Sequence, residues 1–416
     1  MVPIKKSQII TMGFFIKAGS RNEMEDDSGI AHFLEHMMFK GTKHRNASTL
    51  FEELDIIGAN YNAATTTQHT YYYVYGNAND TKKILDIMLD IYINAIFMPK
   101  EIATEKKVII EEMRMRSDSP MMKLYSLMHK KMFAGTSLAR DIIGNIDTIM
   151  NFTKRDLVSF RTSLYKPENT VFAITGNFNT EVIFNFLYDA LNNLENSPKS
   201  PTTYFHERSI IMKNMKSQEE PYVYVRENEL VQQVYVILAF PLYDLYEYKY
   251  SEIDLLTQLL TSGFSSRLSK ALRENKGITY TSNAYPIVYS DSGVYLITLV
   301  INPVELVKGL KITLNELKKI KNKPVTDKEM EKVINVTKNE SIYTLINPIS
   351  ILTYFGINFL IDRNFNPDIN KEFNKISKIT KQQLQNVARQ IFVYDKINLF
   401  LYGNVKKNIN FDFLDL

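Results

Sequence analysis

Residues 153–177 read TKRDLVSFRTSLYKPENTVFAITGN and residues 380–404 read TKQQLQNVARQIFVYDKINLFLYGN, so the chain repeats a pattern. Thr153/Thr380, Lys154/Lys381, Leu157/Leu384, Gly176/Gly403 and Asn177/Asn404 match without a gap. In each copy a threonine placed to cap a helix is followed by that helix, then by an apolar strand closed with Gly-Asn. The likeness extends upstream: TLFEELDIIGANYNAATT around Gly58 and RLSKALRENKGITYTSNA around Gly277 both read helix, glycine stop, strand. Three elements in one order point to duplication.

A chain of 416 residues suits two such units, each able to bury its own core. Residues 196–216 carry Asn, Ser and Pro clusters and read as a linker between domains 1–195 and 217–416. Strand-like stretches at Ile9–Ala18, Asn60–Thr66 and His69–Gly76 alternate with long amphipathic helices. Their tight spacing predicts an α+β fold of two homologous domains, each an antiparallel β-sheet packed with α-helices.

Composition narrows the chemistry. Net charge is only +4 and no dense Lys/Arg tract occurs, which disfavours nucleic acid as a partner. There is no cysteine, so disulfides, thiolate metal knots and a cysteine nucleophile are excluded. Any metal must be held by His, Asp or Glu. The longest apolar run, Val234 to Tyr243, contains Pro241 and is too short to span a bilayer. Residues 1–12 lack the apolar core and cleavage site of a secretory signal, so a soluble, cytoplasmic protein is the expectation.

The stretch SGIAHFLEHMMFKGT, residues 28–42, places His32 and His36 four positions apart with Glu35 before the second. Ser28 is placed to cap a helix running through Phe39 and closing near Gly41. On that helix both imidazoles project from one face. Two readings stand: an amphipathic helix whose histidines are satisfied by hydrogen bonds, or two ligands of a metal clamp with Glu35 in reach of a water. The order His-x-x-Glu-His, the reverse of the commoner zinc motif, favours the second. A third ligand is still needed, and with no cysteine a distant carboxylate is the natural one. Residues 99–120 read as a helix after Pro99 with Glu105 and Glu112 two turns apart on one face, though a charged helix of this kind also serves as a solvated surface.

Taken together, GSRNE, GIAHFLEHMMFKGT, GANYNAATT, EKKVIIEEM, SLARDIIGN and FSSRL...LRENKGITY resemble the pitrilysin/insulysin family of inverted-motif zinc peptidases, in its order and spacing and over nearly the whole chain. The branch most similar is that of the mitochondrial processing peptidase and bacterial single-chain enzymes. No glycine-rich loop like that of the noncatalytic processing-peptidase subunit is present. The resemblance implies a zinc endopeptidase acting on short or unfolded polypeptides, its two domains closing as a clamshell. It implies one zinc ion per chain, held by His32, His36 and Glu112, with Glu35 as general base and Glu105 as a supporting acid. Asn62 and Ala63 would pair with the backbone of the peptide substrate, and Arg273 and Tyr280 would reach its carbonyl from the second domain. In the second half SEIDLLTQLL stands where the histidine pair would be, so the metal is expected in the first half only.

The same fold also serves noncatalytic structural or peptide-binding subunits, or a catalytic half that needs a partner chain. A homodimer or a related subunit is the pairing the family suggests. Family members have a further strand ahead of the segment at Ile9–Ala18, and here the first sheet is expected to have an open edge or to be completed by another segment.

Overall fold

The computed structural model describes residues 1–192, 217–242, 246–365, 368–405 and 409–416. The proposed linker at 196–216 lies outside them.

The first half carries β1 (Val2–Pro3), β2 (Ile9–Ile16), α1 (Ile30–Met38), α2 (Ala47–Ile56), β3 (Asn60–Thr65), β4 (Thr70–Asn77), α3 (Thr81–Asn94), α4 (Pro99–Asp118), α5 (Pro120–Met132), α6 (Ile146–Asn151), α7 (Lys154–Leu164), β5 (Thr170–Gly176) and α8 (Thr180–Leu191). The second carries β6 (Tyr222–Glu227), β7 (Val234–Leu242), α9 (Tyr246–Thr261), β8 (Thr279–Val288), β9 (Gly293–Ile301), α10 (Leu306–Asn322), α11 (Asp327–Thr344), α12 (Pro348–Ile361), α13 (Ile369–Ser377), α14 (Lys381–Ile391) and β10 (Asn398–Gly403).

The two sheets share one topology, β1-β5-β2-β4-β3 and β6-β10-β7-β9-β8, as a duplication requires. They are mixed rather than purely antiparallel. β1 runs parallel to β5 and β6 parallel to β10, while every other pairing is antiparallel. The parallel pairs join the first and last strands of each unit, so no local hairpin signal announces them. The family's strand ahead of Ile9, expected to be missing here, is present as a two-residue stub, Val2↔Thr175 and Pro3↔Gly176, where the second sheet has a six-residue ladder.

The repeat's matched residues have a physical reason. Thr153 and Thr380 both begin capping boxes, with Asp156 and Gln383 as reciprocal partners. Gly176 and Gly403 adopt φ of 128° and 131°, and a Cβ there would lie 2.3 Å from the Ile9 carbonyl oxygen or 2.1 Å from that of Gln233. Only glycine suits both demands.

Two compact units emerge: Met1–Met115 with Ser137–Thr203 and Tyr343–Pro367, and Arg116–Thr136 with Tyr204–Ile342 and Asp368–Leu416. Each sheet has its main core on one face. In the first, Ile10, Met12, Phe14 and Ile16 of β2 pack with α1, α3 and α7 residues such as Phe33, Tyr92 and Leu157. Its other face is covered by α12, from the second half of the chain, through Leu352 and Leu360 against Phe15 and Ala173. Reciprocally, α5 from the first half packs on β7 and β10. This explains why β2 and β7 read as continuous apolar runs: strands covered on both faces lose polar alternation.

Candidate metal centre

The site is built on α1, which starts differently from the sequence expectation. Gly29, at φ 96°, and not Ser28, occupies the N-cap, and it supplies no side-chain cap. The buried Glu23 carboxylate takes over, accepting the Gly29 and Ala31 N–H groups at 3.0 Å each. Burial pushes the Glu23 carboxyl up to about 8, against those two donors and the nearby Arg140 charge. Arg140 also donates to the Glu23 backbone carbonyl. Glu23 and Arg140 belong to GSRNE and SLARDIIGN, so these motifs brace the start of the helix bearing the histidines.

One turn apart on α1, the His32 and His36 rings lie 4.7 Å between centroids. Nε2 of each is 3.6 Å from the same Glu112 oxygen, Oε2, delivered by α4. One donor atom from each of the three residues falls within 4.8 Å of the others, and no other such His/Asp/Glu group occurs among the described residues. Among the described residues of the second half, none joins this group. Two imidazole nitrogens and a carboxylate, converging without sulfur, fit a zinc ion with a coordination position left for water.

Glu105, two turns before Glu112, is 2 % exposed, and its Oε2 lies 3.0 Å from His36 Nδ1 while Oε1 meets Lys40 Nζ at 2.5 Å. Burial raises the Glu105 carboxyl, but His36 and Lys40 outweigh it and hold it below its ordinary value. A carboxylate accepting from Nδ1–H selects the tautomer whose Nε2 lone pair faces the other ligands. Burial pulls the His36 imidazole down, yet Glu105 and Glu112 push it up to about 9. The Glu105 and Glu112 carboxylates thus concentrate negative charge where a cation would sit. Neighbouring Glu111 points away, 63 % exposed and paired with Arg114.

Glu35 lies on the same helix, and its Oε2 accepts the Thr65 hydroxyl at 2.6 Å. Burial raises the Glu35 carboxyl and the Thr65 hydrogen bond opposes the rise. Thr65 ends β3, the edge strand of the first sheet, which also carries Asn62 and Ala63. One side of β3 pairs with β4, Asn62 opposite Tyr73 and Ala63 opposite Tyr72; the other borders no strand among the described residues. In the second unit Arg273 and Tyr280 meet each other, the guanidinium carbon 4.9 Å from the Tyr280 ring centroid. Sequence reasoning missed Glu23, Lys40 and Thr65 as parts of the first unit's site. The first two lay inside the motifs GSRNE and FKGT, and Thr65 inside GANYNAATT.

With that geometry in view, a sequence profile described as insulinase (peptidase family M16) matches residues 2–146, and one described as the peptidase M16 inactive domain matches 151–337. A protein of Rickettsia felis named as an uncharacterised zinc protease is 33% identical over 294 residues, covering 69% of this chain and 67% of its own. The chain belongs to the insulinase, or M16, peptidase family. Another relative named as a zinc protease, from Bacillus subtilis, is 27% identical over 93% of this chain and 91% of its own. Among solved structures, a protease from Helicobacter pylori superposes with a TM-score of 0.87 at 24% identity over 96% of this chain and 95% of that one. A Pseudomonas fluorescens structure described as a peptidase M16 inactive domain gives 0.84 at 17%, over 98% and 96%. These two likenesses establish the M16 fold, two α+β domains with a mixed five-stranded sheet in each. No single described helix is long and apolar enough to cross a membrane.

Proposed function

We propose that this M16 chain is a zinc-dependent endopeptidase that hydrolyses short or unfolded polypeptides, with one zinc ion held by His32, His36 and Glu112. The observation that carries the reading is the convergence of both histidine Nε2 atoms on one Glu112 oxygen, with Glu35 on the same helix. Held by these three groups, zinc supplies Lewis-acid polarisation of a carbonyl and makes a water acidic enough to lose its proton near neutral pH. Glu35 accepts that proton and returns it to the leaving amine, its carboxylate oriented by Thr65. Glu105 keeps His36 in the ligating tautomer.

Substrate adds to the open edge of β3, its backbone pairing around Asn62 and Ala63; such pairing requires an extended chain and reads backbone more than sequence. That β3 ends on Thr65, which bonds Glu35, supports a path from the edge to the base. Arg273 and Tyr280, from the domain at 217–416, donate to the developing oxyanion.

The test is Glu35→Gln in a metal-analysed preparation. Zinc content near one per chain with hydrolysis of an internally quenched peptide reduced at least about a thousandfold is the expected result, the size typical of losing a general base. Full activity in that variant removes Glu35 from the reaction. A folded wild-type protein that takes up no zinc would instead identify a noncatalytic peptide-binding subunit of this fold.

A further inference from the structure

The second unit carries a feature that the oxyanion reading leaves unexplained: Tyr280 is 83% exposed and Phe264, nearby, is 66% exposed. The duplication shows that this exposure is built. Aligning Gly58 with Gly277 sets Tyr61 against Tyr280. Tyr61 sits in register opposite Val74, with its ring 5.4 Å from Phe51 and 6.2 Å from Phe39. Tyr280 is skipped by its ladder, which pairs Thr279 with Ile301 and then Thr281 with Val300. An extra residue of this kind is a β-bulge, which re-aims the side chain it carries. The buried Thr279 hydroxyl secures it, lying 2.6 Å from the Val300 carbonyl oxygen and 2.7 Å from that of Thr281 while accepting the Thr281 N–H.

Released from the position its counterpart occupies, the Tyr280 ring meets Arg273, whose guanidinium carbon lies 4.9 Å from its centroid and 4.9 Å from that of Phe264. Arg273 rides on a π-helical turn, Ser269–Glu274, and the Gly277 N–H bonds its carbonyl at 2.8 Å. The segment between α9 and that turn, which holds Phe264, is tied down by Arg267, whose guanidinium makes two bonds to Glu329 at 2.9 and 3.1 Å. A cation over aromatic faces is attracted without using its N–H donors. Nε of Arg273 faces the Glu274 carboxylate at 3.7 Å, and the contacts to the two rings leave the terminal N–H groups of the guanidinium for a ligand. A free arginine side chain has many rotamers, and such contacts reduce that freedom before substrate arrives.

We propose that Phe264 is a positioning residue, holding the Arg273 guanidinium against the bulged Tyr280 so that the two donors are presented to the peptide carbonyl as a pre-oriented pair. This rests on the oxyanion role assigned above to Arg273 and Tyr280, and the experiment separates the two claims. Phe264→Leu, Phe264→Tyr and Arg273→Lys are compared as zinc-loaded proteins on an internally quenched peptide, and the Arg273 Nε–H resonance is followed by NMR. Phe264→Leu is expected to lower kcat about threefold to fivefold, the factor of one exposed cation–π contact, with KM, zinc content and melting temperature unchanged. Phe264→Tyr restores kcat, and Phe264→Leu adds nothing in the Arg273→Lys background. In wild type the Nε–H resonance is shifted upfield by the rings, and part of that shift is lost in Phe264→Leu. Wild-type kcat in Phe264→Leu, or an unmoved Nε–H resonance, overturns the proposal. If Arg273→Lys alone leaves kcat intact, the oxyanion role falls, and with it the purpose given to Phe264, whatever the resonance shows.

Discussion

Replacing Glu105 by glutamine probes how far the metal centre depends on a residue that need not touch the metal. The carboxylate uses one oxygen for His36 Nδ1 and the other for Lys40, and it is almost fully buried. A glutamine offers one acceptor and an NH2 group, so it can serve only one of those donors and faces the other with N–H. If the amide oxygen turns to Lys40, the His36 tautomer is no longer held with Nε2 toward Glu112. Losing such support typically costs 10- to 100-fold in metal affinity, about 1.4–2.7 kcal/mol. Loss of one charge-assisted bond should also lower the stability of the zinc-free protein by about 1–3 kcal/mol. Zinc affinity is read by competition with a chelating dye at neutral pH, and stability by urea unfolding of the metal-free protein. Glu111→Gln, on the same helix but 63 % exposed, is the matched control and should leave affinity unchanged. Affinity in Glu105→Gln within about twofold of wild type would show that His36 is oriented by the helix alone.

Three further perturbations follow from the packing. Glu329 is held down to about 2, burial being outweighed by Arg267 and the Thr326 donors, so it stabilises the fold above its unfolded value of 4.5 and loses that contribution as pH falls through about 2. Glu329→Gln should therefore cost roughly 1–3 kcal/mol at neutral pH, with the gap to wild type closing in acid unfolding curves near pH 2; a pH-independent gap refutes the ion pair as its source. Gly403→Ala, at φ 131° with its new Cβ 2.1 Å from the Gln233 carbonyl oxygen, should lose at least about 2 kcal/mol by urea unfolding, whereas a wild-type midpoint would mean that the strand end can move aside. Gly356→Ala on α12 puts a Cβ 2.4 Å from the buried Phe15 ring, so overpacking of about 1–3 kcal/mol should exceed the gain of about 1 kcal/mol in helix propensity and lower Tm; a higher Tm would show that α12 stands off the sheet.

How much of this was readable beforehand depends on whether the deciding contact is local. Thr153 and Thr380 carry their capping signal within one helical turn, and β2, β3 and β4 lie within a residue or two of the predicted strands. The placing of His32 beside His36 follows from helix pitch, and so does that of Glu105 relative to Glu112. The start of α1 was misread at Ser28 because its cap is tertiary: Glu23 reaches it from outside the helix, across a glycine in the left-handed region. The parallel pairings of β1 and β6 were missed for a related reason, since they join ends of each unit with no turn between them.

The sequence by itself determined that a unit was built twice, that only one copy carries a histidine pair, and which face of α1 presents it. These are properties of spacing and periodicity, carried by neighbouring residues. Only the tertiary structure decided that α12 covers the first sheet and α5 the second, since an apolar helix face does not say which sheet will cover it. It also decided that the Glu112 carboxylate, already named by the resemblance, reaches both imidazoles, that Thr65 holds Glu35, and that a bulge turns Tyr280 outward where Tyr61 points in. Each of these is a contact between distant segments, and its geometry exists only once the sheets and helices have packed.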